Sequence, residues 1–232
     1  MRYAVLGTGI VGRTLTAKLV SLGHEVVIGT RDPQATLART EPDGMGNPPF
    51  AAWHADHSDV RLQTFAEAAA FGETVLNTTS GAGALDALRA AGAANLAGKV
   101  VVDIANPMDF SRGMPPTLNP VNTDSLGEQV QRAFPDARVV KTLNTMNCSI
   151  MVNPASVPGE HNVFVSGEDA GAKEAVTELL ASFGWPAGSV IDLGGIETAR
   201  GTEMLLPIWL RLYGALGNAA FNFHIQGAHK SA

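Results

Sequence analysis

Along the chain, short apolar runs alternate with longer stretches in which apolar residues return every third or fourth position. The first run, Tyr3-Ala4-Val5-Leu6, closes at Gly7, and Leu15, Leu19 and Leu22 follow at i, i+4 and i+7. This predicts a strand and then a helix with one apolar face. Gly23 suits the position just past that helix, where a left-handed backbone is common, and HEVVIG (24–29) supplies the next strand. Further strands are predicted at VRLQTF (60–65), ETVLNTTS (73–80), GKVVVDIANP (98–107), ARVVKTLNT (137–145) and HNVFVSGED (161–169). Helices are predicted near AEAAAF (66–71), LDALRAAG (85–92), SLGEQVQRAF (125–134) and AKEAVTELLASFG (172–184), the last capped by Asp169. Strand and helix in alternation argue for an α/β fold of the Rossmann type, a doubly wound, mostly parallel sheet.

The turn after the first strand reads G-x-G-x-x-G at Gly7, Gly9 and Gly12, with Thr8, Ile10 and Val11 between them. Between a strand and a helix this is the dinucleotide fingerprint. Gly7 permits the tight turn, Gly9 lets backbone approach a pyrophosphate, and Gly12 lets the helix lie close to the strand. The helix N-terminus then faces phosphate charge. The second strand runs into Gly29-Thr30-Arg31-Asp32-Pro33. An NAD-selective site places a carboxylate here, which would repel a 2′-phosphate. Asp32 before Pro33 instead has the pattern of a helix cap, opening a helix through QATLART (34–40). Thr30 offers a hydroxyl and Arg31 a planar cation, so NADP(H) is the expected cofactor.

In parallel sheets ligands gather at the carboxyl ends of strands. Here those ends carry Asn77-Thr78-Thr79-Ser80-Gly81 and Asp103-Ile104-Ala105-Asn106-Pro107, polar turns placed where a nicotinamide is expected. The same residues are also ordinary turn formers. Residues 42–59 read as an excursion before the third strand, and the stretch around Arg112 (109–124) as a long loop without periodicity. Large apolar residues at Met204, Leu205, Ile208, Trp209, Leu212 and Tyr213 exceed what one helix face needs, which predicts a core or a homodimer interface.

Charge and composition narrow the function. The 232 residues hold 16 Lys+Arg against 22 Asp+Glu, a net charge of −6, with no block of like charge. Nucleic acid and anionic membranes are therefore poor partners. Pro207 and Arg211 break the longest apolar stretch, which is too interrupted for a membrane span. The single cysteine, Cys148, cannot form an internal disulfide, and the first residues run into a strand with no basic leader pattern; a cytoplasmic setting is expected. His54 and His57 lie three apart, but no further ligand pattern completes a metal site. There is no G-x-S-x-G, no persuasive carboxylate pair, and no base partner for Cys148. Hydride transfer between two cofactors needs little proton management, so positioning by Ser80, Asn106 and Pro107 would suffice. A reductase of a small carbonyl or imine would need a proton donor, for which Lys141 is the candidate, unless it is a surface or salt-bridged lysine. A nonenzymatic NADP(H) sensor is a third possibility.

Taken together, GTGIVG, the GTR turn, DIANP, VVKTLNTM and the terminal TARGTEMLLPIWL resemble the NADPH-dependent coenzyme F420 reductase family, the F420H2:NADP oxidoreductases, over nearly the whole chain. The reductase domains of STEAP-type metalloreductases look related. The resemblance implies reversible hydride transfer between NADPH and the deazaflavin F420, or a flavin. It implies a dinucleotide-binding domain at 1–145 and a small C-terminal helical or α+β domain at 146–232 that shapes the second-substrate cleft and a homodimer. It also implies Thr8, Thr30 and Arg31 at the 2′-phosphate.

Overall fold

The computed structural model describes residues 1–43 and 46–227. Eleven α-helices, three short 3-10 turns and ten strands are found among them, beginning β1 (Arg2–Leu6), α1 (Ile10–Ser21), β2 (Glu25–Thr30), α2 (Pro33–Leu37), α3 (Phe50–Ala55) and β3 (Arg61–Thr64). Next come α4 (Phe65–Phe71), β4 (Thr74–Asn77), α5 (Gly81–Ala91), α6 (Ala93–Leu96), β5 (Val100–Asp103), β6 (Met108–Asp109) and β7 (Thr117–Leu118). The chain continues through α7 (Leu126–Ala133), β8 (Arg138–Thr142), α8 (Cys148–Val152), β9 (Val163–Ser166), α9 (Ala170–Phe183) and β10 (Val190–Asp192). It closes with α10 (Ala199–Met204) and α11 (Leu206–Leu216).

Eight strands form one sheet in the order β3-β2-β1-β4-β5-β8-β9-β10. All neighbours are parallel except β8 and β9. Successive strand residues face opposite sides, and both sides are buried, which is why these strands read as continuous apolar runs. Val5, Ile28, Leu76, Val102 and Val140 pack with Leu15 and Leu19 of α1 and with α9. Ala4, Leu6, Val27, Val75, Val101 and Val139 pack with α4, α5 and α7 on the opposite side. The chain winds one way from β1 to β3 and the other from β4 onward, so the crevice opens at the carboxyl ends of β1 and β4. From the stretch 146–232, β9 and β10 join this same sheet.

Several local expectations change. Leu22 is the C-cap of α1 and is exposed, because the helix ends before its third apolar turn can reach the sheet. The helix after Asp32 stops at Leu37. Phe65 leaves the third strand and opens α4, since Thr64 and Glu67 form a reciprocal capping box. Within 42–59, α3 brings Phe50 into the core; Gly44 and Met45 lie outside the described residues. The long loop is pinned by the small antiparallel pair β6 and β7. Among the described residues, no helix is long and apolar enough to cross a membrane.

Candidate functional site

The glycine turn is shaped by three different constraints. Gly7 has φ 121°, where an L side chain is strained, and Thr78 Oγ1 donates to the Leu6 carbonyl beside it. A Cβ on Gly12 would collide with the Gly7 carbonyl oxygen. A Cβ on Gly9 would meet nothing within 4 Å, so open space lies over the turn. Gly9 caps α1 without a side-chain hydrogen bond, and the first turn holds no acid, so its amides remain available. Arg13, only 6% exposed, fixes the turn from behind: its Nε donates to the Thr8 carbonyl at 2.8 Å and a terminal nitrogen to the Pro48 carbonyl at 2.6 Å. Thr8 and Val11 are half-buried and Ile10 is exposed around the same turn.

At the tip of β2, Arg31 is exposed, while Asp32 accepts from the Ala35 amide at 2.9 Å as the cap of α2. The Thr30 hydroxyl is buried and shares a 2.9 Å hydrogen bond with that of Thr36. Arg39 donates to the same Thr36 hydroxyl at 3.2 Å. Burial pushes the Arg13 guanidinium below the ordinary arginine value; Asp43 opposes this and the Arg39 charge adds to it. Arg39 is thus a second cation near this tip. Neither it nor Arg13 stood out in the sequence, because a lone arginine on a helical pattern reads as a solvated surface residue.

The ends of β4 and β5 meet over the crevice. A Cβ on Gly81 would collide with the Asn106 carbonyl, so the Ser80 and Asn106-Pro107 turns touch. Ser80 is exposed and its hydroxyl does not cap α5. Asn106 and Asn144 are reciprocally bonded, Nδ2 of Asn106 to the Asn144 carbonyl at 2.8 Å and Nδ2 of Asn144 to Oδ1 of Asn106 at 3.0 Å. Leu143, at φ 62°, turns the chain out of β8 to allow this pairing. Thr145 Oγ1 is buried there with no hydrogen-bond partner.

Beneath these turns sits an ion triad. Lys141 Nζ lies 2.8 Å from Asp103 Oδ2 and 2.8 Å from Glu203 Oε1, and it donates to the Ala105 carbonyl. The Lys141 side chain is fully buried. Burial alone would push its ammonium down, but Asp103 and Glu203 together overcome that and hold it above the ordinary lysine value. Glu203 also accepts from the amides of Leu126 and Gly127 at 2.9 and 3.0 Å, at the start of α7. Arg200 adds two bonds to Glu128, at 2.8 and 2.5 Å, so α10 is clamped onto α7. Lys141 is therefore an interior, doubly paired lysine rather than a surface one. The carboxylate pair that the sequence did not reveal is Asp103 with Glu203, brought together only by folding.

His54 bonds the Val60 carbonyl at 2.8 Å, and the His57 ring stacks on Trp53 at 4.1 Å. No group of three or more His, Cys, Asp or Glu among the described residues could hold a metal ion.

Residues 2–107 match the family described as NADP oxidoreductase, coenzyme F420-dependent. A crystal structure from Arthrobacter sp. FB24, provisionally named an F420-dependent NADP reductase, is 64% identical, with 96% of this chain and 98% of that one covered and a TM-score of 0.92. The chain belongs to the F420-dependent NADP reductase family. It is an NADP-dependent oxidoreductase of that family, whose cofactors are NADP(H) and coenzyme F420. The F420-dependent NADP reductase of Methanothermobacter marburgensis is 27% identical over 218 residues, which are 91% of this chain and 92% of that protein. Metalloreductase STEAP3 of Rattus norvegicus is 27% identical over 213 residues, 90% of this chain but 38% of that protein. The chain thus spans little more than a third of the metalloreductase. The residues present fit NADP(H): the open space over Gly9, the uncapped amides of α1 and the cations at the tip of β2 suit a dinucleotide with a 2′-phosphate.

Proposed function

We propose that this member of the family transfers hydride between NADPH and coenzyme F420 across the crevice at the ends of β1, β4 and β5. In this reading Gly7, Gly9, Ile10, Val11 and Gly12 receive the pyrophosphate. Thr8, Arg31 and Arg39 receive the 2′-phosphate, with Thr30 acting through Thr36 to hold Arg39. Thr79, Ser80, Ala105 and Asn106, supported by Pro107, orient the nicotinamide. The bound nicotinamide supplies the hydride.

The observation that carries the reading is the neutrality of the groups on the crevice rim. The turns after β1, β4 and β5 present amides, hydroxyls and carboxamides, while Lys141 and Asp103 are held in the interior. Such a rim can position two rings and exclude water with no proton donor of its own. A carbonyl or imine reductase would need a free acid, and the doubly paired Lys141 is a poor one. We further propose a cytoplasmic homodimer joined through α11, where Ile208, Tyr213 and Leu216 are 47%, 49% and 53% exposed. Sedimentation at micromolar concentration tests that part.

Mixing the protein with NADPH and F420 tests the main reading by absorbance. Expected is bleaching of the oxidised deazaflavin, with deuterium from nicotinamide C4 recovered on the acceptor ring without solvent wash-out. Turnover of a free flavin or a carbonyl panel in place of F420 would overturn it.

A further inference from the structure

Thr79 is joined to the ion triad by a chain of hydrogen bonds in which every donor and acceptor can be assigned. Asp103, 0% exposed and paired with Lys141, is a carboxylate and can only accept. The side-chain atom of Asn77 facing it at 2.8 Å must therefore be the amide nitrogen, Nδ2. Asn77 is itself 0% exposed, so its amide has no freedom to turn to water. Its oxygen, Oδ1, consequently faces the Thr79 hydroxyl at 2.7 Å. An amide oxygen only accepts, so the hydroxyl proton of Thr79 is committed inward. What Thr79 Oγ1 has left for the crevice is its lone pairs.

We infer that Thr79 is a specificity-determining residue that presents an acceptor, never a donor, to the cofactor, and so selects the N–H2 group of a nicotinamide carboxamide. This rests on the proposal that the nicotinamide lies at the β4 turn. The Ser80 hydroxyl on the same rim is exposed and caps nothing, so it can turn to donate or accept and imposes no direction. Asn106 has both its side-chain oxygen and nitrogen engaged with Asn144. The charge on Asp103 is what fixes the direction of the chain, because a neutral amide there could face Asn77 either way.

The test compares binding of NADP⁺ with its 3-acetylpyridine analogue, in which a methyl ketone replaces the carboxamide and no N–H remains. Calorimetry on the purified full chain reads both affinities without any turnover. Wild type is expected to favour NADP⁺ by about fivefold to tenfold, the range of one neutral hydrogen bond. Thr79→Val should bring that ratio near one, and Thr79→Ser should restore it. Asp103→Asn should lower the ratio while leaving a hydroxyl at residue 79; should that variant fail to fold, the Val and Ser pair decides alone. Thr79→Val keeping the wild-type ratio, or Thr79→Ser losing it, overturns the inference. Tight binding of both ligands by wild type with no preference removes only this inference. Failure to bind either ligand removes the cofactor site as well.

Discussion

At the glycine-turn end of the crevice, the groups proposed to face a ligand come from short local stretches, Gly7 to Gly12 and Arg31 to Arg39. At the β4–β5 end they depend on Asn77, Asp103, Lys141 and Glu203, drawn from β4, β5, β8 and α10. The first end is backbone shaped by local sterics and braced by neutral contacts from Thr78 and by Arg13; the second is a set of charges held in the interior. A backbone cradle works wherever strand, turn and helix follow one another. A buried charge network works only when the whole sheet is assembled and α10 has docked. The two ends should therefore fail differently when altered.

The largest effect is expected at the buried end. Lys141→Met leaves Asp103 and Glu203 facing each other without a counter-charge, and removing one member of a buried ionic network costs about 3–5 kcal/mol. The melting temperature should fall by on the order of 10 °C. Denaturant unfolding of the variant would measure this directly, and a loss under about 1 kcal/mol would mean that the triad carries little of the docking of α10.

Next in size is the cation at the tip of β2. Arg31→Ala should weaken NADPH by about 1.5–3 kcal/mol, the value of a hydrogen bond to a charged group, and leave NADH almost unchanged. Equal losses for both cofactors would remove the 2′-phosphate assignment. Arg39→Ala should act in the same direction and more weakly, since Arg39 is also engaged with Thr36.

Within the glycine turn itself, two substitutions separate fold from binding. Gly12→Ala places a methyl group against the Gly7 carbonyl and should cost about 1–3 kcal/mol of stability in the free protein. Gly9→Ala meets no neighbour, and its φ of −72° suits any residue, so the free protein should change by under about 0.5 kcal/mol. The added methyl group then stands in the space that the pyrophosphate needs, and NADPH affinity should drop. If Gly9→Ala binds NADPH as wild type does, the cradle lies elsewhere.

The same contrast explains what could be read from the sequence. The Rossmann order, the glycine turn and the caps at Asp32 and Asp169 are encoded within a few residues of one another, where spacing and turn chemistry suffice. The triad is not. Asp103 and Lys141 are 38 positions apart, and Glu203 meets Leu126 across 77. Each of the three reads singly as a strand-end or helix-surface charge. Arg13 is hidden for a related reason: it sits on the predicted apolar helix, and only the 46–50 loop, folded back over it, shows why it is buried. The limits of α1 and α2 depended on where tertiary contact ended, which no local pattern records.

The smallest expected effect is a gap that does not close with pH, and it tests the triad from the other side. The folded-state value of Lys141 is raised above the ordinary 10.5, so its contribution to stability is fully present below 10.5 and is lost only as pH rises through the higher folded value. Between about pH 6 and pH 9 the ammonium stays charged in both states, and no proton is taken up or released by Lys141 on unfolding. Asp124 provides the opposite sign: bonded by Arg132, its carboxyl is lowered to about 2, so its contribution is present above the ordinary 3.8 and disappears as pH falls through about 2. The gap in unfolding free energy between wild type and Lys141→Met, measured across about pH 6 to 9, should therefore not close toward pH 9. A proton shared by the unpaired carboxylates of the variant would be lost as pH rises and could only widen it. A gap that closes toward pH 9 would mean that Lys141 loses its proton near neutrality despite its two carboxylates. That would return it to the role of a titrating acid at the end of β8 and undo the contrast between the two ends of the crevice.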